Sequence, residues 1–456
     1  MDLLEKLRDT FASGKTRELA WRQSQLQALQ RLLLENENRI YAALQQDLGK
    51  CQFESRVSEF DYVLKDIRLF QKKLARWSRP RRIGTPILAQ PGYSRIVPEP
   101  LGTVLIMGAW NYPLQLVLSP MVAAIGAGNC VLLKPSELAM ATSNLIADLL
   151  PKYLDTHAIA VVEGGVEETT ELLKQRFDHI LYTGSEAVGK IVMRAASEHL
   201  TPVTLELGGK SPCIVDDETN LKVTADRLIW AKFINAGQTC IAPDYVLVTP
   251  ELRPKLQAAL KASLARQYGD DPAKSRDYGR IVNDRHFRRV LSYLDDQGAA
   301  LIHGGESDAE QRYIAPTLLL NPSLESSVMR EEIFGPILPI IEMTSIDSML
   351  RFIKSREKPL ALYLFSSNAD VIDRVTADTS SGSVCINDAV IFMINAEMPF
   401  GGVGNSGMGC YHGKWGFETF SHLKPIMYRR FAADAPLRYA PYTKLKQWLY
   451  NLVSKL

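Results

Sequence analysis

One thiol, Cys240, stands among small and polar neighbours in Phe233-Ile-Asn-Ala-Gly-Gln-Thr-Cys-Ile-Ala-Pro-Asp-Tyr245, directly ahead of a strand-like run. A free thiol with a pKa near ~8.5 is only a few per cent thiolate at neutral pH, yet it is intrinsically a strong nucleophile, so modest help makes it reactive. Without such help a lone cysteine is simply a small buried apolar residue. Glu206 is the second chemical residue. In Val203-Thr-Leu-Glu-Leu-Gly-Gly-Lys-Ser-Pro212 it interrupts a strand-like run and is followed by two glycines. A carboxylate flanked by leucines is desolvated unless paired, which raises its pKa and makes it a proton acceptor near neutrality; on a strand with one wet face it would only point to water. A thiol and a carboxylate base suit chemistry at a carbonyl or acyl carbon.

Such groups need a scaffold, and the apolar pattern supplies one. Strand and helix alternate: Thr103 to Ala109, a helix from Pro113, Cys130 to Lys134, a helix from Met140, Ala158 to Glu163, a helix from Glu167, and His179 to Thr183. This predicts an α/β fold, a parallel sheet with helices on its faces, whose ligands sit outside the carboxyl ends of the strands. Three loops occupy those ends: Gly108-Ala-Trp-Asn-Tyr-Pro113, Lys134-Pro-Ser-Glu137 and Thr183-Gly-Ser-Glu-Ala-Val-Gly-Lys190. In the third, Gly184 allows a tight turn into a helix whose amino end favours phosphate. Two more clusters, Glu331-Glu-Ile-Phe-Gly-Pro336 and the glycine-dense run from Met398 to Gly409, name no function alone.

Upstream, Leu26, Leu29, Leu33, Ile40 and Leu44 recur at helical spacing up to a stop at Gly49, and a further helix is expected over roughly Glu59 to Trp77. The basic residues from Lys72 to Arg82 read as a solvated face leaving the domain. Gly14-Lys15-Thr16 resembles the end of a phosphate loop, but Asp9 stands where its first glycine belongs and no strand precedes it.

With 456 residues, 46% of them hydrophobic, the chain can bury two or three cores. The balance of 53 basic and 51 acidic residues gives no electrostatic case for nucleic acid. Six cysteines without a CxxC predict reduced thiols and a cytoplasmic setting, and the scattered histidines show no metal-site spacing. The amino terminus lacks a signal-peptide pattern. Pro100 to Leu133 runs 34 residues without a formal charge, long enough to span a bilayer, yet Asn111, Pro113, Pro120 and Asn129 argue for buried strand, turn, helix and strand.

Taken in order, Ala109-Trp110-Asn111, KPSE at 134 to 137, the GSxxxGK-like 184 to 190, ELGGK at 206 to 210, GQTC at 237 to 240, EEIFGP at 331 to 336 and PFGGVGNSGMG at 399 to 409 resemble the aldehyde dehydrogenase superfamily, most closely its class 3 branch, over roughly residues 20 to 425. The resemblance implies a Rossmann-like NAD(P)-binding domain (1–82 and 101–206), a catalytic α/β domain (207–397), a small β oligomerisation extension (83–100 and 398–436) and a carboxyl-terminal tail (437–456). It implies oxidation of medium or long aliphatic or aromatic aldehydes to acids through a cysteine thioester, in a homodimer and without a metal. Cys240 would be the nucleophile, Asn111 and the Cys240 backbone N–H would hold the oxyanion, and Glu206 would activate water. Lys134 and Glu137 would bind the adenosine ribose, Ser185 and Trp110 the pyrophosphate, and Glu332 the nicotinamide ribose, with Phe334 near that end. Gly184, Gly189 and Leu207 complete the cofactor set. Carboxylates at the ribose favour NAD and Lys134 offsets them, so dual use of NAD and NADP with NAD preferred is expected. Tyr62, Tyr112, Leu116, Ile391 and Phe392 resemble positions lining an apolar entry for substrate in class 3 enzymes.

Glu206 speaks for water rather than coenzyme A or phosphate as acyl acceptor. Together Cys240, Asn111 and Glu206 speak against a catalytically silent protein on the same fold. In the tail, Leu445, Trp448, Leu449, Leu452, Val453 and Leu456 share one helical face, flanked by Lys444, Lys446 and Lys455. That face suits docking on a partner subunit or, alternatively, peripheral membrane contact.

Overall fold

The computed structural model describes residues 2–295, 300–432, 434 and 436–453. The alternating pattern folds into a sheet ordered Ile159–Val161, Cys130–Lys134, Thr103–Met107, His179–Thr183, Val203–Glu206 and Gly407–Met408, parallel except for the last strand. Strand order reverses beside Thr103–Met107, so a crevice opens at its carboxyl end, between the loops that follow it and His179–Thr183. The uncharged stretch resolves into strand, loop, the buried helix Gln115–Ala127 and strand, as its polar punctuation predicts. Pro120 lies inside that helix without ending it.

A second sheet runs Ala300–His303, Thr317–Leu320, Ile337–Glu342, Tyr245–Val248, Pro212–Val215, Ala361–Phe365 and Ser383–Ile386, parallel apart from its first strand. The chain leaves the first sheet at Glu206 and enters the second at Pro212. Cys240 lies just before Tyr245, which pairs in register with Pro212. Carboxyl ends of the first sheet therefore face amino ends of the second, and that junction brings Glu206 close enough to act on the Cys240 thiol. A third, antiparallel sheet joins Arg81–Ile83, Gly92–Pro100 and Ser421–Arg429. The segment 398–436 does more than extend this third sheet, because Gly407–Met408 also pairs with Leu205 and Glu206.

Helices Asp2–Ala12, Leu19–Glu35, Glu37–Leu48 and Asp61–Trp77 carry the amino-terminal apolar stripes into the core; the first of these lies ahead of the predicted stripes. Before Asp61 the backbone widens into a π-helical turn, Arg56–Phe60, a form that recurs at functional sites. Gly14-Lys15-Thr16 is a plain turn whose Lys15 pairs with Asp155 at 2.6 Å.

Candidate active site

Cys240 follows a tight turn, Ile234–Gly237, in which Asn235 and Ala236 take positive φ values of 54° and 51°. Such left-handed backbone at non-glycine residues is strained and persists only where surroundings hold it. Three contacts do so. Glu54 accepts the Asn235 N–H at 2.9 Å, and Gln238 Nε2 donates to the Asn235 carbonyl at 3.0 Å. Gly237, at φ 76°, lies so close to the Gly335 carbonyl that a Cβ there would come within 2.3 Å of it. The turn before the thiol is thus packed directly on the Glu331–Pro336 motif.

Asn111, only 2% exposed, donates through Nδ2 to the Gln238 carbonyl at 3.0 Å, two residues ahead of the thiol. A side-chain amide carries two N–H groups, so one remains for a ligand. Tyr112 bonds Thr239 through its hydroxyl at 2.7 Å. Cys240 is partly exposed. Burial pushes its thiol up to about 12, with the neighbouring Glu332 and Glu206 adding to the effect. Glu206 ends its strand 2% exposed, and neither carboxylate oxygen has a hydrogen-bond partner among the described residues. Burial alone holds its carboxyl well above the usual range. An unpartnered buried carboxylate beside a thiol is costly as pure structure and suits proton transfer.

Glu332 faces the same space. Burial, with Asp244 adding, raises its carboxyl to about 8. A Cβ on Gly208 would lie 2.1 Å from Glu332 Oε2, so the glycine makes room for that carboxylate. Residues 331 to 334 are tied down from behind. Arg289 donates to the Ile333 carbonyl at 2.9 Å, Lys210 to that of Glu331 at 2.7 Å, and Asp244 pairs with Lys210 at 2.5 Å. Phe334 packs edge-on against Trp110, with ring centroids 5.2 Å apart, and Trp110 also meets His286.

At the crevice of the first sheet, Lys134 is 3% exposed, among the described residues bonds the Pro135 carbonyl alone at 2.9 Å, and stands 3.9 Å from half-exposed Glu137. Ser185 caps the helix Glu186–Ser197. Gly184 lies against the Tyr182 hydroxyl, and Leu207 packs on Gly189. An under-partnered ammonium, a helix amino end and a distal carboxylate suit a long anionic ligand such as a dinucleotide.

Among the residues expected to line the substrate site, Tyr62 bonds His412 at 3.0 Å, and His412 stacks on Phe400, which stacks on Phe392. Leu116 is buried, while Ile391 is 38% exposed. Sequence reasoning misses His412, Asp244, Arg289, Asn235, Glu54, Glu59 and Lys50 as site residues. Asn235 and Asp244 flank Cys240 in sequence, a signal that could have found them; Lys50 and Glu59 look like ordinary helical charges.

Comparison with known proteins follows the same pattern. The family model described as "Aldehyde dehydrogenase family" matches residues 3–426. The chain is 52% identical to the dimeric NADP-preferring aldehyde dehydrogenase of Rattus norvegicus over 93% of this chain and 94% of that one. It is 49% identical to aldehyde dehydrogenase family 3 member B1 of Homo sapiens over 96% of this chain and 94% of that one. The solved substrate-bound state of Staphylococcus aureus AldH superposes with a TM-score of 0.97 at 42% identity, covering 99% of this chain and 98% of the other.

Proposed function

This chain belongs to the aldehyde dehydrogenase family and is an NAD(P)-dependent enzyme of aldehyde oxidation; from that premise we propose how its own residues perform the reaction. Cys240 Sγ attacks the aldehyde carbonyl carbon as its proton passes to solvent from the partly exposed thiol. The new oxyanion receives the free Asn111 N–H and the backbone N–H of Cys240, donors typically each worth a factor of about 10² to 10³ in rate. A bound NAD(P) would supply the hydride acceptor for this carbon, with Cys240 holding the oxidised carbon as a thioester. Glu206 then takes a proton from water as the water oxygen attacks the thioester and passes that proton to the departing sulfur, releasing the acid and the thiol. One observation carries the reading: the Asn111 amide is fixed to the carbonyl of Gln238, two residues ahead of a thiol whose neighbour is the unpartnered Glu206.

For the cofactor we propose dual use. Lys134 is buried with a single close acceptor, whereas Glu137 is half exposed and 3.9 Å away, so repulsion of a 2′-phosphate is weaker than the residue types alone imply. The rat relative is named NADP-preferring. Aromatic residues around Tyr62, Tyr112 and Phe392 support medium or long aliphatic and aromatic aldehydes as substrates. An aldehyde panel run with each dinucleotide, followed by NAD(P)H absorbance, should show turnover with both, at kcat/KM values within about tenfold. Turnover with one alone would refute dual use, and none with any aldehyde would refute the assignment.

The tail forms the helix Lys444–Val453, on which Leu445, Trp448 and Leu452 are all more than half exposed; Leu456 and Lys455 lie outside the described residues. Through Lys446, Gln447 and Tyr450, not through that apolar face, the helix borders a groove of about 690 Å³ with Ile87, Leu88 and Leu437. We propose a homodimer, as the rat relative's name states for that protein, in which this face docks on the second copy rather than on lipid. Deleting residues 443–456 should then weaken dimerisation in sedimentation. Co-sedimentation of the intact chain with anionic liposomes, lost on that deletion, would overturn it in favour of membrane contact.

A further inference from the structure

Lys50 lies in the interior, 1% exposed, far from Cys240 in sequence, and no step of the reaction uses it. Its ammonium donates to Glu59 Oε1 at 2.6 Å and to the Asn111 carbonyl at 2.9 Å, and sits 4.0 Å from the centre of the Tyr112 ring. Both side chains of the Lys50–Glu59 pair are fully buried. Glu59 Oε2 accepts the backbone N–H groups of Leu114 and Gln115 at 2.9 and 3.3 Å. The pair therefore grips the loop that carries Asn111 at two places, at its own carbonyl and at the start of the following helix.

Burying an ion pair is expensive compared with apolar side chains of the same volume, so its stability value alone does not account for it. Its contacts are informative. The Asn111 carbonyl also accepts Asn235 Nδ2 at 2.8 Å, and that same Nδ2 reaches the Gln238 carbonyl at 3.1 Å, the acceptor for the Asn111 side chain. Lys50, Asn111, Asn235 and Gln238 thus form one connected, buried network, which Gln238 anchors further on the Arg280 carbonyl and which leaves one side-chain N–H of Asn111 for a ligand. Glu54, on the turn beside the π-helical segment, holds the Asn235 backbone from the same side.

We propose that the Lys50–Glu59 pair is a positioning device for the oxyanion-holding amide of Asn111. It fixes the peptide from which the amide projects, so that the donor is aimed before substrate arrives. The inference rests on the oxyanion role proposed for Asn111. Its test is the first-turnover rate of NAD(P)H formation at saturating aldehyde, with dinucleotide affinity measured separately. Lys50→Met should slow first turnover by about 10- to 100-fold and leave dinucleotide Kd within about twofold. Asn111→Ala should slow it by about 10² to 10³. Because Lys50 acts through Asn111, the double variant should be no slower than Asn111→Ala alone.

A folded Lys50→Met protein with unchanged first turnover, or losses that multiply in the double variant, would overturn the proposal. Should Lys50→Met fail to fold, Glu59→Gln keeps the size and an acceptor oxygen while removing the charge, and the same slowing and the same non-additivity are expected of it. The two readings separate cleanly. If Asn111→Ala is slow and the Lys50 and Glu59 variants are not, the inference alone falls; if Asn111→Ala turns over normally, the oxyanion assignment falls with it.

Discussion

Replacing Cys240 with alanine is expected to lower aldehyde oxidation by at least about 10⁴-fold, while dinucleotide affinity stays within about twofold. The size follows from the role. The titratable neighbours of the thiol are carboxyls, Glu206 and Glu332, and tyrosine hydroxyls, Tyr112, Tyr363 and Tyr411, all pushed up by burial and none a nucleophile of comparable strength. The survival of binding follows from geometry. The thiol is partly exposed at the end of a turn held by Glu54, Gln238 and the Gly237–Gly335 contact, none of which involves its sulfur. Removing Sγ therefore leaves that turn in place and costs little stability. Dinucleotide titration by fluorescence and a thermal melt check these points beside the assay. Retained turnover would remove Cys240 from the nucleophile's role.

The outline of this site is legible in the amino-acid sequence because its parts are local. Gly184 and Ser185 follow a strand and open a helix, Glu206 and Gly208 end another, and Cys240 precedes a third, so strand periodicity alone brings each to a sheet end. Pairing across long separations leaves no such mark. Lys50 and Glu59 fall on segments whose spacing reads as ordinary amphipathic helix, and only the tertiary fold turns their charges inward onto Asn111. The two positive-φ residues, Asn235 and Ala236, are hidden for a related reason, since neither is glycine and their strain is held by Glu54, 181 positions away in the case of Asn235. His412 stands just past the glycine-dense run, and it gains meaning only when folding sets it on Tyr62 and Phe400.

Glu206→Gln should separate the two halves of the reaction. Gln keeps the shape of the side chain but cannot accept the proton of the attacking water, so thioester release should slow by about 10² to 10⁴, the usual reach of a general base. Acylation should suffer less, and the result is a rapid burst of NAD(P)H approaching one per site, followed by a slow steady rate. Stopped-flow absorbance reads both phases, and an unchanged steady rate would count against Glu206 as the base. Stability provides an independent check on the same residue. The folded-state carboxyl is held by burial well above its unfolded value, so the fold binds that proton more tightly than the unfolded chain does. Ionising Glu206 therefore destabilises the fold progressively as pH rises from the ordinary carboxylate range, near 4.5, toward the raised folded value. Glutamine removes this penalty without losing a hydrogen bond, because the native oxygens make none among the described residues. The melting temperature of Glu206→Gln relative to the native chain should thus climb between pH 5 and pH 8 while the steady rate stays low, a combination that simple misfolding would not produce.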